Sequence, residues 1–162
     1  MKVRARQGAD EPAARAFLAR HHSVRAARLG ELLDPLDHPA FLAETGTGHL
    51  AGMLTYVPGP GWQQCEILTI HAAEQWHGAG TALITAIEQL AAQHGCTRLW
   101  LITTNDNVDA LRFYQRRGFR LAALHRGAVD YSRTHLKPEI PAVGDYGIPL
   151  RDEIELEKRP GI

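Results

Sequence analysis

Apolar residues recur along this chain at two spacings, every second residue in some stretches and every third or fourth in others, and the switches between them mark the elements. Val3 to Arg6 reads as a short first strand. Asp10 is placed to cap a helix with Glu11 and Pro12 in its first turn, and Ala14, Phe17, Leu18 and His21 fall on one face of it. Ser23 is placed to cap a second short helix carrying Val24, Leu29, Leu32 and Leu33, which Asp34-Pro35 and His38-Pro39 then break. Ala40 to Glu44 and His49 to Val57 flank the glycine-rich Thr45-Gly46-Thr47-Gly48 as a β-hairpin. After the turn Pro58-Gly59-Pro60-Gly61 a third strand runs from Gln63 to Ile70.

From Gly80 the period lengthens: Leu83, Ile84, Ile87, Leu90, Ala91 and His94 recur at helical spacing, with Gly95 as the C-terminal cap. Arg98 to Thr103 is nearly all apolar and reads as a strand buried on both faces, joined through a right-handed β-α-β crossover. Thr104 to Asn107 offers several caps for a short helix ending at Gly118, and strand character resumes at Phe119. Residues 127–149 are rich in Pro, Gly and charge and read as a long ordered loop. Glu153-Ile154-Glu155-Leu156-Glu157 alternates as a half-buried last strand.

Composition narrows the class. The chain has 162 residues, 44% of them hydrophobic and 22% charged, enough for one sizeable core, and we expect a single domain over 1–162. Eighteen basic and eighteen acidic residues leave a formal net charge of zero. No broad field then favours nucleic acid or an anionic membrane, and the two helices near the start are expected to be scaffold, not a DNA reader. Arg112, Arg116, Arg117 and Arg120 cluster locally. A solvated helix face with cations near its C-terminus is the preferred reading, and contact with an outer cofactor phosphate is the other. The apolar runs are too short to span a membrane and the first residues carry interrupting charges, so a cytoplasmic location is expected. Cys65 and Cys96 lie in apolar segments, as reduced buried thiols do. Nine histidines invite a metal, but neither a His-Glu-x-x-His helix nor a cysteine pair is present, and no metal is expected.

The chemistry starts at Gln75-Trp76-His77-Gly78-Ala79-Gly80, between an apolar strand and an amphipathic helix. Its glycines let the main chain approach a pyrophosphate, and the first helical turn directs unpaired N–H groups and its positive dipole end at the anion. A tight strand-to-helix turn would carry the same residues. Downstream, Asn107-Val-Asp-Ala110-Leu-Arg-Phe113-Tyr114-Gln-Arg-Arg-Gly118-Phe119 resembles the second signature of the general-control-related N-acetyltransferase (GNAT) superfamily, and the first stretch resembles that family's phosphate loop. Both stand in the family's order and spacing. One residue departs: the family carries Arg or Gln first and often Gly next, and here Trp76 follows Gln75.

The resemblance implies an α/β (α+β) fold, a mixed, mostly antiparallel central sheet with helices on both faces. It also implies acetyl-CoA as cosubstrate and transfer of acetyl to a primary amine of a small polar molecule or peptide by direct attack. Cofactor contacts carried over by motif are Gln75, Trp76, His77, Gly78, Ala79, Gly80 and Thr81 in the loop, Leu68, Thr69 and Ile70 on the preceding strand, and Asn107, Ala110 and Tyr114. The strand is expected to splay there, with Ile70 the favoured oxyanion donor. Tyr114 takes the role of acid to the departing thiolate, and Asn107 binds the pantetheine arm. Phenol and thiol, with reference pKa values of about 10 and about 8.5, are close enough to exchange a proton. On a helix, Asn107, Ala110, Leu111 and Tyr114 share one face.

The attacking amine is mostly ammonium at neutral pH and needs a base. In a regular strand Gln64, Glu66 and Leu68 point one way and Cys65, Ile67 and Thr69 the other, which makes Glu66 the candidate base. Glu74, Asp106 and His125 stand in reserve, and His71 and His77 read as loop residues. A homodimer is a modest expectation from the family. Readings left open are a CoA-binding sensor or partner-binding module without catalysis, a different acyl group such as succinyl, and a protein acceptor.

Overall fold

A computed structural model describes residues 1–74 and 77–161 and contains, among them, nine strands and four α-helices. Two compact units emerge. The first comprises Met1–Ala26, Asp34–Leu99 and the chain from Arg159 onward, and the second Ala27–Leu33 with Trp100–Lys158.

In the first unit β1 (Lys2–Ala5), β4 (Ala40–Glu44), β5 (Leu50–Pro58) and β6 (Gln64–Ala72) lie side by side in that order, each pair antiparallel. Register assigns the faces. Leu42 stands opposite Met53, and Met53 opposite His71, on one face; Ala43, Gly52 and Ala72 share the other. Helix α1 (Glu11–Arg20) buries Ala14, Phe17 and Leu18 against Ala40, Leu42 and Met53. Helix α2 (Ala79–Gln93) closes on the opposite face at Gly52, where an added Cβ would stand 3.0 Å from Leu83 Cδ1 and 3.2 Å from Ala79 Cβ. Only glycine permits that approach. The periodicity of α2 is borne out: Leu83, Ile84, Ile87 and Ala91 are buried, and Gly95 follows the helix at φ 72°.

Two findings correct the expected face assignment and α1 cap. β6 slips register between Thr55↔Thr69 and Tyr56↔Ile67, so Leu68 has no partner and forms a bulge. Thr69 therefore joins Glu66 on the α1 face, and Ile67 and Ile70 turn the other way. Asp10 precedes α1 but spends its carboxylate elsewhere, accepting from Gln7 N and from both Nη atoms of Arg4, at 2.8 Å each. The hydrogen bonds from Arg4 and from Gln7 N hold the Asp10 carboxyl well below the usual carboxylate range, and Arg4 also binds Glu44.

The second unit takes β7 (Arg98–Thr104) from Trp100 onward, and β7, β9 (Glu153–Lys158) and β8 (Arg120–His125) follow in the order β7-β9-β8, with β8 antiparallel to β9. β7 alternates, burying Leu99, Leu101 and Thr103 and half-burying the residues between, in place of the expected double burial. Helix α3 (Val108–Arg116) ends before Gly118, which takes φ 91°, as the motif predicts.

The helix expected after Ser23 is instead a two-stranded hairpin, β2 (Ala26–Arg28) and β3 (Glu31–Leu33). Leu29 and Gly30 both take positive φ, 50° and 76°, the two-residue turn that suits hairpin twist and ends a helix. The side chain of Glu153, only 2% exposed, accepts from Leu29 N at 2.9 Å and secures that turn. The expected loop 127–149 begins with a helix, α4 (Ala128–His135), which buries Val129 and Ser132. It then winds through Asp145–Gly147 and the bridge Val143↔Pro149.

Candidate active site

β6 supplies the carboxylate and the irregular backbone. Glu66 is 3% exposed on the α1 face of the strand, two residues before the Leu68 bulge. Thr69 lies on the same face, and its hydroxyl shares a 2.6 Å hydrogen bond with that of Thr55; both residues are buried. His71, expected in a loop, belongs to β6 on this face. Its Nε2 lies 2.8 Å from Ser23 Oγ, and its ring stacks on His21 with centroids 4.8 Å apart. Burial, with Arg20 and His22 adding to it, holds the His21 imidazole below its ordinary pKa. Glu66, Thr69 and His71 thus form one row of polar groups along this face of β6. Sequence reasoning missed His71 because its placement depends on the bulge.

The strand leads into the loop before α2. Gln75 and Trp76, both expected cofactor contacts, lie outside the described residues. His77 is exposed and pairs with Glu74 at 3.3 Å, which keeps His77 a loop residue and occupies one reserve base. Gly78 is the N-cap of α2 at φ 89°, and among the described residues a Cβ built on it would meet nothing within 4 Å. Conformation demands glycine there. Gly78 offers no capping side chain, and the first helical bond is Ala82 N to Gly78 O at 3.0 Å. The amides of Ala79, Gly80 and Thr81 come before that bond, at the positive end of the helix dipole. This is a seat that suits phosphate.

α3 carries the second half of the candidate set. Asn107 caps it, Oδ1 accepting from Ala110 N at 3.1 Å. Tyr114 is 7% exposed between Phe113 (5.3 Å, edge-on) and Phe119 (5.5 Å). Burial raises its phenol well above the ordinary tyrosine range, and the charge of Arg117 opposes this in part. The group is therefore a protonated phenol throughout the neutral range, as an acid must be. Arg117, half-buried just after α3, bonds Phe113 O at 3.0 Å and lies 3.5 Å above the Phe113 ring.

The other reserve bases have structural partners. Asp106, buried, accepts from Thr104 Oγ1 at 2.5 Å and Asp145 N at 2.9 Å and anchors the 144–147 turn. His125 lies 2.9 Å from Glu155. Cys65 and Cys96 are free and buried, and burial pushes the Cys65 thiol up to about 12, far from nucleophilic use. Among the described residues no group of three His, Cys, Asp or Glu could hold a metal ion, and no helix is long and apolar enough to cross a membrane.

Known proteins are similar to this chain in sequence and fold. The acetyltransferase (GNAT) family model matches residues 8–119. The uncharacterized protein YdhI of Bacillus subtilis (strain 168) is 44% identical over 126 residues, which span 77% of this chain and 75% of that one. Among solved structures, an IAA acetyltransferase from Bacillus cereus ATCC 14579 superposes with TM-score 0.71 at 22% identity, covering 98% of this chain and 99% of that one. A GNAT family acetyltransferase from Elizabethkingia anophelis with acetyl-CoA bound gives TM-score 0.69 at 18% identity, covering 98% and 97%. The expected mixed, mostly antiparallel sheet with helices is the fold these neighbours share.

Proposed function

The chain belongs to the acetyltransferase (GNAT) family, and on that footing we propose that it transfers acetyl from acetyl-CoA to a primary amine of a small polar molecule or peptide by direct attack. Residues 1–162 are read as one acetyltransferase domain. The observation that carries the reading is the Leu68 bulge: it interrupts the β5–β6 ladder beside a buried carboxylate, where the family binds its thioester.

Acetyl-CoA supplies the activated carbonyl and a thiolate leaving group. We assign its pyrophosphate to the amides at Gly78, Ala79, Gly80 and Thr81, with Gln75, Trp76 and His77 completing the loop, and its pantetheine arm to the main chain of Leu68, Thr69 and Ile70 at the bulge and to Asn107 and Ala110. Glu66 takes the proton that the acceptor ammonium must lose, directly or through water. The amine nitrogen then bonds to the acetyl carbon, Ile70 N–H steadies the oxyanion, and the C–S bond breaks as Tyr114 protonates sulfur. Support for Glu66 is its burial, which places a carboxylate out of bulk water. Support for Tyr114 is its place on α3, capped by Asn107, with its hydroxyl protonated at neutral pH.

Two buried unpaired thiols persist in a reducing compartment, and we place the protein in the cytoplasm. Beyond the acceptor, the partner we expect is a second copy of the chain.

The test is thiol release from acetyl-CoA with a panel of polyamines, aminoglycosides, amino acids and N-terminal peptides. Tyr114→Phe should keep the acetyl-CoA KM and lose about tenfold to a hundredfold in kcat. Gly78→Val, forced into a left-handed conformation that β-branched residues avoid, should lose acetyl-CoA binding. Binding of acetyl-CoA without turnover on any amine would point to a sensor, and no binding at all would overturn the assignment.

A further inference from the structure

β8 ends the order β7-β9-β8, so its outer edge has no neighbouring strand among the described residues. Edge strands are usually guarded by charge or by cover. This one reads Arg120-Leu121-Ala122-Ala123-Leu124-His125, with Leu121 59% and Leu124 64% exposed and both alanines open to solvent.

Residues three apart in a regular strand point to opposite faces, but β8 slips register against β9 between Leu121↔Leu156 and Ala123↔Glu155. Ala122 is the extra residue. Leu124 stands opposite Ile154, two residues from Leu156 on β9, so both leucines emerge on one face. The other face is charged: Arg120 faces Glu157, and His125 Nε2 lies 2.9 Å from Glu155 Oε1.

We propose that β8 is a self-pairing edge, on which a second copy of this chain lays its own β8 antiparallel across a two-fold axis between Ala122 and Ala123. The hexapeptide is complementary to itself in that register. Leu121 meets Leu124 of the second copy twice, which gathers four leucines into one patch, and the small alanines at the axis let the backbones approach. Arg120 meets His125 of the second copy, where Glu155 supplies the carboxylate a guanidinium seeks. This surface deepens the self-association proposed above and is independent of the reaction.

Sedimentation velocity on the full chain, 17.9 kDa per copy, reads the assembly directly. The wild type should run as a dimer. Leu124→Ala should weaken it about tenfold or more, because each substitution removes two symmetry-related contacts. Chains carrying Leu121→Glu with Leu124→Glu, or Leu121→Lys with Leu124→Lys, should each be monomeric, and an equal mixture should restore a dimer. The substituted side chains are exposed, and circular dichroism confirms folding; were a charged chain unfolded, Leu124→Ala alone would decide. A wild-type monomer would overturn both this surface and the self-association reading. A dimer untouched by any of these substitutions would overturn the surface alone.

Discussion

Asn107 has two tasks that substitution can separate. Its Oδ1 caps α3 through Ala110 N at 3.1 Å, and its Nδ2 is the half of the amide assigned above to the pantetheine arm. Asn107→Ala removes both. Loss of the cap costs about 1 kcal/mol, which lowers Tm by about 2–4 °C in a chain of this size. Asn107→Asp keeps the capping oxygen and adds a negative charge at the positive end of the helix, contributing about 0.3–1 kcal/mol of its own. It abolishes the donor, however. One neutral hydrogen bond contributes about 0.5–1.5 kcal/mol, so acetyl-CoA affinity should fall about two- to tenfold in Asn107→Asp while Tm holds or rises. Scanning calorimetry and titration calorimetry with acetyl-CoA measure the two effects independently. Were Asn107→Asp to bind acetyl-CoA as the wild type does, the amide would be a helix cap and nothing more. Were Asn107→Ala to melt at the wild-type temperature, the observed cap would contribute no stability.

Other outcomes follow from buried or paired groups. Thr55→Val or Thr69→Val leaves one buried hydroxyl without its 2.6 Å partner and should cost about 1–3 kcal/mol; the double variant should recover most of it in a denaturant double-mutant cycle, and strict additivity would refute the coupling. Native protein at pH 8 should resist thiol alkylation, because the Cys65 thiol is raised to about 12 by burial and Cys96 is buried; rapid mass addition before unfolding would contradict this. The Asp10 carboxyl is depressed when folded, so its contribution is present above the unfolded value of about 3.9 and fades as pH falls below it. Asp10→Asn should therefore be less stable than the wild type at pH 7, and the gap should narrow as pH drops through that range. A pH-independent gap in denaturant midpoints would argue against the linkage.

Much of the architecture was legible because it rests on local signals that tertiary contacts reinforce. The helical period of 83–91, Gly95 and Gly118 as stops and the Thr45–Gly48 turn all did in the fold what their chemistry favours. The misses have physical causes. Val24, Leu29, Leu32 and Leu33 mimic a helical face, and only the paired positive φ of Leu29 and Gly30, secured by the distant Glu153, decides for a hairpin. α4 escaped notice since it buries just Val129 and Ser132, too few for a visible period. In the candidate site, Glu66 and Tyr114 could be singled out one by one. The row of Glu66, Thr69 and His71 could not, since a bulge depends on the strand opposite it.

Leu68 can be viewed as a supernumerary residue. Struck from the chain, it would leave Ile67 next to Thr69, and ordinary alternation would still send Glu66, Thr69 and His71 toward α1 and Ile67 and Ile70 toward α2. Every side chain would keep its side and the core its partners; only the interruption in the β5–β6 ladder would vanish. One deletion thus divides main-chain chemistry from side-chain chemistry. A chain of 161 residues could fold to the same core and lack the irregular main chain to which the thioester is assigned in our proposal.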